Sequence, residues 1–221
     1  MPIYEYILHV CIMHPSKTAK EFPSMCPSPI KEAIEIRKPL KIETDLQGEA
    51  LQFETTYGIF SPKEIDQGTK LLLRYLEVEP EFDCLDLGCG YGPVGIWMAK
   101  KAHKGSVIML DKDFVAVEYA NKNVEINRLT NASAHLSNGF SFLDDQKFDL
   151  IVSNIPAKVG NEMLYLFLYD AYHHLKPGGK FVVVTVNGLR HFCKRTFKEV
   201  FGNYEKIKQG QSYTISATTK V

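Results

Sequence analysis

No stretch of this 221-residue chain is apolar for long enough to cross a bilayer. The most apolar runs, around Tyr6 to Met13 and Leu164 to Leu168, fall far short of the roughly 18 residues a spanning helix needs. A membrane protein is therefore not expected. A signal-peptide pattern is missing too, because Glu5 interrupts the start and no Lys or Arg precedes its apolar run. The expected location is the cytoplasm. Charge of one sign is also lacking: 26 basic and 26 acidic residues cancel, so no overall positive field advertises nucleic acid. A nucleic-acid partner has to be argued from local residues instead. Cysteine is sparse, and five scattered residues (Cys11, Cys26, Cys84, Cys89, Cys193) do not make a disulfide framework. Cys11, His14 and Cys26 have no fourth ligand at metal-site spacing, so no metal is expected. Internal repeats and low-complexity tracts are absent.

What is present is the material of a packed core. Hydrophobic residues make up 45% and charged residues 24%, with 13 Phe and 11 Tyr, which fits one globular domain with a short preface. Pro15, Pro23, Pro27, Pro29 and Pro39 exclude a long helix or central strand before about residue 40. The expected division is a loop-rich preface over residues 1–50 and one folded domain over 51–221.

From Leu51 the chain alternates Leu51, Phe53, Thr55 against Gln52, Glu54, Thr56, a strand ending at Gly58. A helix is predicted over Ile65–Glu77. Strands at Cys84–Leu87, Ser106–Leu110, Ala132–Leu136, Phe148–Val152 and Lys180–Val186 then take turns with helices at Pro93–Lys101, Phe114–Asn127, Glu162–Leu175 and Leu189–Phe201. Lys176-Pro177-Gly178-Gly179 reads as a stop and turn, and Tyr204–Gln209 with Ser212–Thr218 reads as a hairpin around Gly210. The fold class is α/β, a doubly wound and mostly parallel sheet with an antiparallel C-terminal strand.

The chemistry concentrates after the first parallel strand. Cys84-Leu85-Asp86-Leu87-Gly88-Cys89-Gly90-Tyr91-Gly92-Pro93-Val94-Gly95 sets four glycines between a strand and a helix, where backbone approaches a ligand closely and the helix N-terminus offers a polar platform. Gly90, Gly92 and Gly95 also satisfy the dinucleotide fingerprint, and Asp111 follows at the end of the next strand with Lys112 beside it. A nicotinamide dinucleotide therefore competes as a reading, as does a purely structural turn. Asp86 favours a third: inside the turn a carboxylate repels a pyrophosphate and suits a cation. Asp111 accepts from ribose hydroxyls in either ligand.

Asp86-Leu87-Gly88-Cys89-Gly90-Tyr91-Gly92 resembles the first motif of class I methyltransferases, whose cofactor, S-adenosylmethionine, is such a cation. Upstream, Leu51–Thr55, Gly58-Ile59-Phe60-Ser61 and Asp66-Gln67-Gly68-Thr69-Lys70 resemble the lead-in of the "methyltransferase small" family, which includes ribosomal RNA guanine-N2 methyltransferases and small archaeal relatives. The resemblance covers about Leu51 to Val221. It implies a Rossmann-like seven-stranded sheet. It also implies a cofactor site formed by Asp86, Gly88, Gly90, Gly92, Asp111, Lys112, Asn138, Gly139 and Asn154, in which Asn138 of the Ser137-Asn138-Gly139-Phe140 turn faces the adenine amine.

Ser153-Asn154-Ile155-Pro156-Ala157 resembles the family's Asn-Pro-Pro stretch, which holds an exocyclic amine. Such an amine is a poor nucleophile, since its lone pair is delocalised into the ring. The resemblance assigns catalysis to Asn154, Ile155 and Pro156: the Asn154 side-chain oxygen and the Ile155 carbonyl take the amine hydrogens, and proline stiffens the loop without a competing N–H. Ile155 stands where the family has its first proline, and Ala157 cannot stack on a base, so Tyr57, Phe60 and Tyr91 become candidates for that contact. His173-His174 reads as a C-terminal partner of the helix dipole, and Lys158, Lys194, Arg195 and Lys198 as candidate phosphate contacts.

The expected function is methylation of a guanine N2 amine in RNA. Adenine N6 or a protein glutamine as acceptor, a cofactor-binding module without chemistry, and a dinucleotide enzyme stay open.

Overall fold

Continuous apolar runs in the parallel strands require a sheet buried on both faces. The computed structural model, which describes residues 38–156 and 160–221, has that sheet. The zinc candidates Cys11, His14 and Cys26, most of the proline-rich preface, Ala157 and Lys158 lie outside the described residues.

The described chain opens with a hairpin of β1 (Leu40–Leu46) and β2 (Glu49–Thr55), fully in register. It begins inside the stretch expected to be loop-rich, and a compact unit runs Pro39–Val221, so that expectation is corrected from residue 40 onward. The two-residue turn Gln47-Gly48 takes positive φ at both positions, 53° and 85°, as a tight hairpin turn demands. Leu51, Phe53 and Thr55 point inward as their alternation requires.

Helix α1 (Gln67–Leu73) follows, shorter than predicted. Then come β3 (Cys84–Leu87), α2 (Pro93–Lys101), β4 (Val107–Asp111), α3 (Phe114–Ile126), β5 (Ala132–Leu136), β6 (Phe148–Asn154), α4 (Asn161–His174), β7 (Leu175–Val186), α5 (Arg190–Phe201), β8 (Glu205–Gln209) and β9 (Tyr213–Thr219). The seven-stranded sheet has the order β5-β4-β3-β6-β7-β9-β8; β9 alone runs antiparallel to both its neighbours. Period two divides the sheet's residues between two cores. Val152, Val182, Val184 and Met109 face one, with Ile96, Trp97 and Phe53. Leu85, Leu87, Leu110, Ile151, Phe181 and Val183 face the other, with Leu164, Leu168 and Phe197.

Lys176-Pro177-Gly178-Gly179 lies within β7 instead of forming a free turn. The C-terminal end straps it down: Gly178 N donates to Lys220 O at 2.8 Å and Lys220 N to Gly179 O at 2.9 Å. The excess chain is absorbed as a register shift opposite Phe148 and Leu150. At this N-terminal rim of the sheet, Lys176 bridges Asp83 at 2.9 Å and Asp149 at 2.7 Å. The opposite rim, at the C-terminal ends of β3, β4, β5 and β6, is left for function.

Candidate active site

The glycine turn after β3 is shaped by its neighbour strand. Leu110 O accepts from Gly88 N at 2.8 Å and Cys89 N at 3.0 Å, while Gly90 N donates to Asp111 Oδ2 at 2.8 Å. Gly88 and Gly90 have φ of 77° and 56°, and a Cβ at either would meet nothing within 4 Å. These two glycines are present for backbone conformation and for the open space above them, not for packing. Asp111 is anchored twice, its Oδ1 accepting from Asp113 N at 3.0 Å, and each of its oxygens keeps a further lone pair for a ligand hydroxyl. Lys112 is exposed and the following Asp113 caps α3.

Asp86 is not where the turn's sequence suggests. It is 1% exposed, beneath the turn, and its Oδ2 accepts from Gly95 N in the first turn of α2 at 2.8 Å. Burial, with the charge of Asp111 adding, pushes its carboxyl up to about 7 against the opposing Gly95 N–H. Its carboxylate satisfies a helix N–H that has no partner within the helix, and so it fixes the turn from below. The expected direct facing of a cation is corrected to this supporting position.

The third strand end contributes Ser137-Asn138-Gly139. Ser137 N donates to Asp111 O at 2.8 Å, and the Ser137 hydroxyl donates to Gly139 O at 2.8 Å, so the turn is locked to the Asp111 strand. Asn138 is exposed at the top, and Gly139 has φ of 60° with Phe167 packed against it.

The fourth strand end is longer than predicted, because Ser153 and Asn154 continue the ladder opposite Val183 and Val184. Ile155 N donates to Val184 O at 3.0 Å and its side chain is buried in the core beside β6, which accounts for a branched apolar residue there; Pro156 is exposed. Asn154 is half-buried at the rim. Its Nδ2 donates to Asp66 Oδ2 at 3.1 Å and to Thr69 Oγ1 at 3.0 Å. An ionised carboxylate only accepts, so the amide nitrogen faces Asp66 and the side-chain oxygen is turned the other way.

Residues 50–217 match the methyltransferase small domain family. The chain belongs to that family.

Relatives of this methyltransferase small domain include the Bacillus subtilis protein YbxB, 32% identical over 180 residues, 80% of this chain and 89% of that protein. Ribosomal RNA small subunit methyltransferase C of Haemophilus influenzae is 32% identical over 162 residues, 72% of this chain and 48% of the relative. The present chain thus spans about half the length of that relative. Among solved structures, the Thermus thermophilus 16S rRNA N2 G1207 methyltransferase, in complex with AdoMet and guanosine, superposes with a TM-score of 0.75 at 27% identity, covering 83% of this chain and 51% of that one.

Within the methyltransferase small domain, the site groups that sequence reading missed are Asp66, Thr69 and Tyr213. Asp66 caps α1, accepting from Gly68 N at 2.8 Å and Thr69 N at 3.2 Å, and the same oxygen holds Asn154. The Tyr213 hydroxyl donates to the other Asp66 oxygen at 3.4 Å. The family lead-in flagged residues 66–70, but nothing local in the sequence links them to a residue 88 positions away. Of the three ring candidates, Tyr91 is in the core, edge-on to Phe53 at 5.8 Å, so it is removed from consideration. Phe60, 65% exposed, and Tyr57 remain. His173 and His174 do end α4, where His174 Nδ1 meets Gln146 O at 2.9 Å and its ring stacks on Phe140. Among the described residues no group of three or more His, Cys, Asp or Glu is placed to hold a metal ion, and no helix is long and apolar enough to cross a membrane.

Proposed function

We propose that this domain, running from the Leu40 strand to Val221, is an S-adenosylmethionine-dependent methyltransferase that acts in the cytoplasm on the exocyclic N2 amine of a guanine in RNA. The observation that carries the reading is the fixed Asn154 amide, its nitrogen committed to Asp66 and Thr69 and its oxygen presented at the sheet's C-terminal rim.

The residues present suit the cofactor. The space above Gly88 and Gly90 admits a ligand against the backbone, and Asp111, preoriented by two N–H donors, has lone pairs for both ribose hydroxyls. Asn138 is exposed one strand further along, in position for an adenine edge. When bound, S-adenosylmethionine supplies an electrophilic methyl group on a sulfonium. This chain's part is to hold the acceptor. The Asn154 oxygen and the Ile155 carbonyl take the two amine hydrogens, which localises the nitrogen lone pair and aims it for in-line attack; the surplus proton leaves the product amine to solvent. No strong base is needed, since the amine loses its proton only as it gains the methyl carbon.

The support from relatives is of one kind: the Haemophilus relative acts on small-subunit ribosomal RNA, and the Thermus structure pairs AdoMet with guanosine. Transfer of tritium from labelled S-adenosylmethionine to RNA, DNA and protein pools, followed by nucleoside analysis, tests the reading. N2-methylguanosine is the expected product. N6-methyladenosine or methylated glutamine would reject the guanine, and no transfer to any pool would reject the enzyme.

A further inference from the structure

We propose that Asp66 and Thr69 are positioning residues of the acceptor site that act through Asn154. A carboxamide rotates between two nearly isosteric states, and only one presents oxygen to the amine. With the other, an NH2 group would meet an NH2 group and the acceptor would be repelled. Asn154 is held in the productive state from one side only, by the Asp66 carboxylate at 3.1 Å and the Thr69 hydroxyl at 3.0 Å. Flipping it would set its oxygen against an anion. The same contact polarises the amide, since an N–H donating to a carboxylate places more charge on the carbonyl oxygen and strengthens it as an acceptor.

The surroundings are built around this contact. Thr69 is buried in the first turn of α1, so its hydroxyl oxygen receives the Asn154 N–H away from solvent. Asp66 is fixed by its two cap bonds and by Tyr213 of β9, which joins three remote pieces of chain at one carboxylate. Gly68 is the gap that permits it: a Cβ there would lie 2.8 Å from Asp66 Oδ2 and 3.1 Å from the Tyr213 ring. Capping α1 alone would not need the Thr69 hydroxyl, since the cap uses only the Gly68 and Thr69 backbone N–H groups.

The inference rests on the proposed function, and Thr69 separates the two more cleanly than Asp66, whose loss also uncaps a helix. Thr69→Val keeps shape and removes the acceptor; Thr69→Ser restores it. With tritiated S-adenosylmethionine and a protein-free small-subunit ribosomal RNA transcript, Thr69→Val should lower kcat about tenfold, the scale of one buried hydrogen bond, with the KM for S-adenosylmethionine within twofold. Thr69→Ser should return kcat to within threefold of wild type. In an Asn154→Ala background, Thr69→Val should have no further effect, which a merely structural role would not produce. Independently of turnover, the Asn154 side-chain amide protons of the free protein, assigned by their loss in Asn154→Ala, should shift in Thr69→Val and return in Thr69→Ser. Unchanged amide signals, or an additive double variant, would overturn the inference. A wild-type protein that transfers nothing would overturn the function instead, and the amide signals alone would then decide whether Thr69 holds Asn154.

Discussion

Asn154 and Asp86 illustrate two fates of a polar residue at a strand end, and each has its own test. Asn154 touches the acceptor in the proposed reaction and stands two strands along the sheet from the Asp111 anchor of the cofactor. Asn154→Ala should therefore cut methyl transfer at least tenfold, or about 1.4 kcal/mol in the barrier, while calorimetric affinity for S-adenosylmethionine stays within a factor of two or three. An equal loss in both would make Asn154 a cofactor residue only. Asp86 is different, because burial raises its carboxyl to about 7 in the folded protein. An exposed aspartate ionises near about 4, so between those values the folded state holds a proton that the unfolded chain has released. Stability supplied by the neutral form is complete below the lower value and is lost as pH rises toward 7. Burial lowers the His135 pKa, which gives a slope of the opposite sign near its own range, so the readable quantity is the difference between proteins. Asp86→Asn, which keeps an acceptor for Gly95 N, should flatten the fall in urea midpoint between pH 5 and 7.5 seen in the unliganded wild type. Parallel curves for the two proteins would show that Asp86 is not the group responsible.

At the scale of elements, the β1–β2 hairpin needs an explanation, because it lies outside the main sheet and leaves an edge of unpaired backbone. Asn123 on α3 and Asn127 at its C-cap, four residues apart and so on one face, act as a substitute strand. Asn127 exchanges bonds with Gln52 N at 3.1 Å and Gln52 O at 2.7 Å, and Asn123 with Glu54 N at 2.7 Å and Glu54 O at 2.8 Å. Asn123 also donates to Tyr91 O at 2.9 Å in the glycine turn, so one fully buried amide ties the hairpin to the cofactor-site backbone. Asn123→Ala should leave three backbone groups unpaired and destabilise the fold by about 2–4 kcal/mol, read from urea denaturation. A loss below about 0.5 kcal/mol would mean that water or rearrangement replaces those bonds. None of this was legible in the sequence, where Asn123 and Asn127 are ordinary helix residues. Legibility followed the range of the interactions. Period-two and period-3.6 patterns located the sheet and helices because they record burial along one segment. Predicted bounds failed where remote chain decides: Lys176–Gly179 has the composition of a turn, yet the Lys220 backbone pairs it into β7. Helix α1 stops at Leu73 rather than Glu77, and the chain turns there, with Tyr75 N donating to Leu72 O at 3.0 Å on the way to Pro80.

For the molecule as a whole, balanced charge has to be reconciled with a polyanionic acceptor. On α5 the face opposite the core carries Lys194, Arg195 and Lys198, all exposed, while Cys193, Thr196, Phe197 and Phe201 are buried. Helix α5 starts just beyond the C-terminal end of β7, the strand paired with Asn154, so this basic stripe begins near the rim that holds the acceptor and descends from it. Three phosphate contacts to single-stranded RNA predict a log–log salt slope of about −2, or roughly a fifteenfold loss of RNA affinity between 50 and 200 mM salt. Reversing Lys194 and Lys198 to Glu should flatten that slope and leave S-adenosylmethionine binding unchanged; an unaltered slope would place the RNA on another face. The same geometry bears on which guanines react. The amine must reach Asn154, half-buried at a strand end, and a paired guanine has its N2 engaged within the helix. Extracting it costs a few kcal/mol, which an already unpaired base does not incur. Transcripts that carry one guanine either in a loop or in a stable stem should therefore differ in kcat/KM by about a hundredfold or more in favour of the loop. Equal rates would mean that the protein supplies the flipping energy itself, with exposed Phe60 and Tyr57 the rings available to fill the vacated stack.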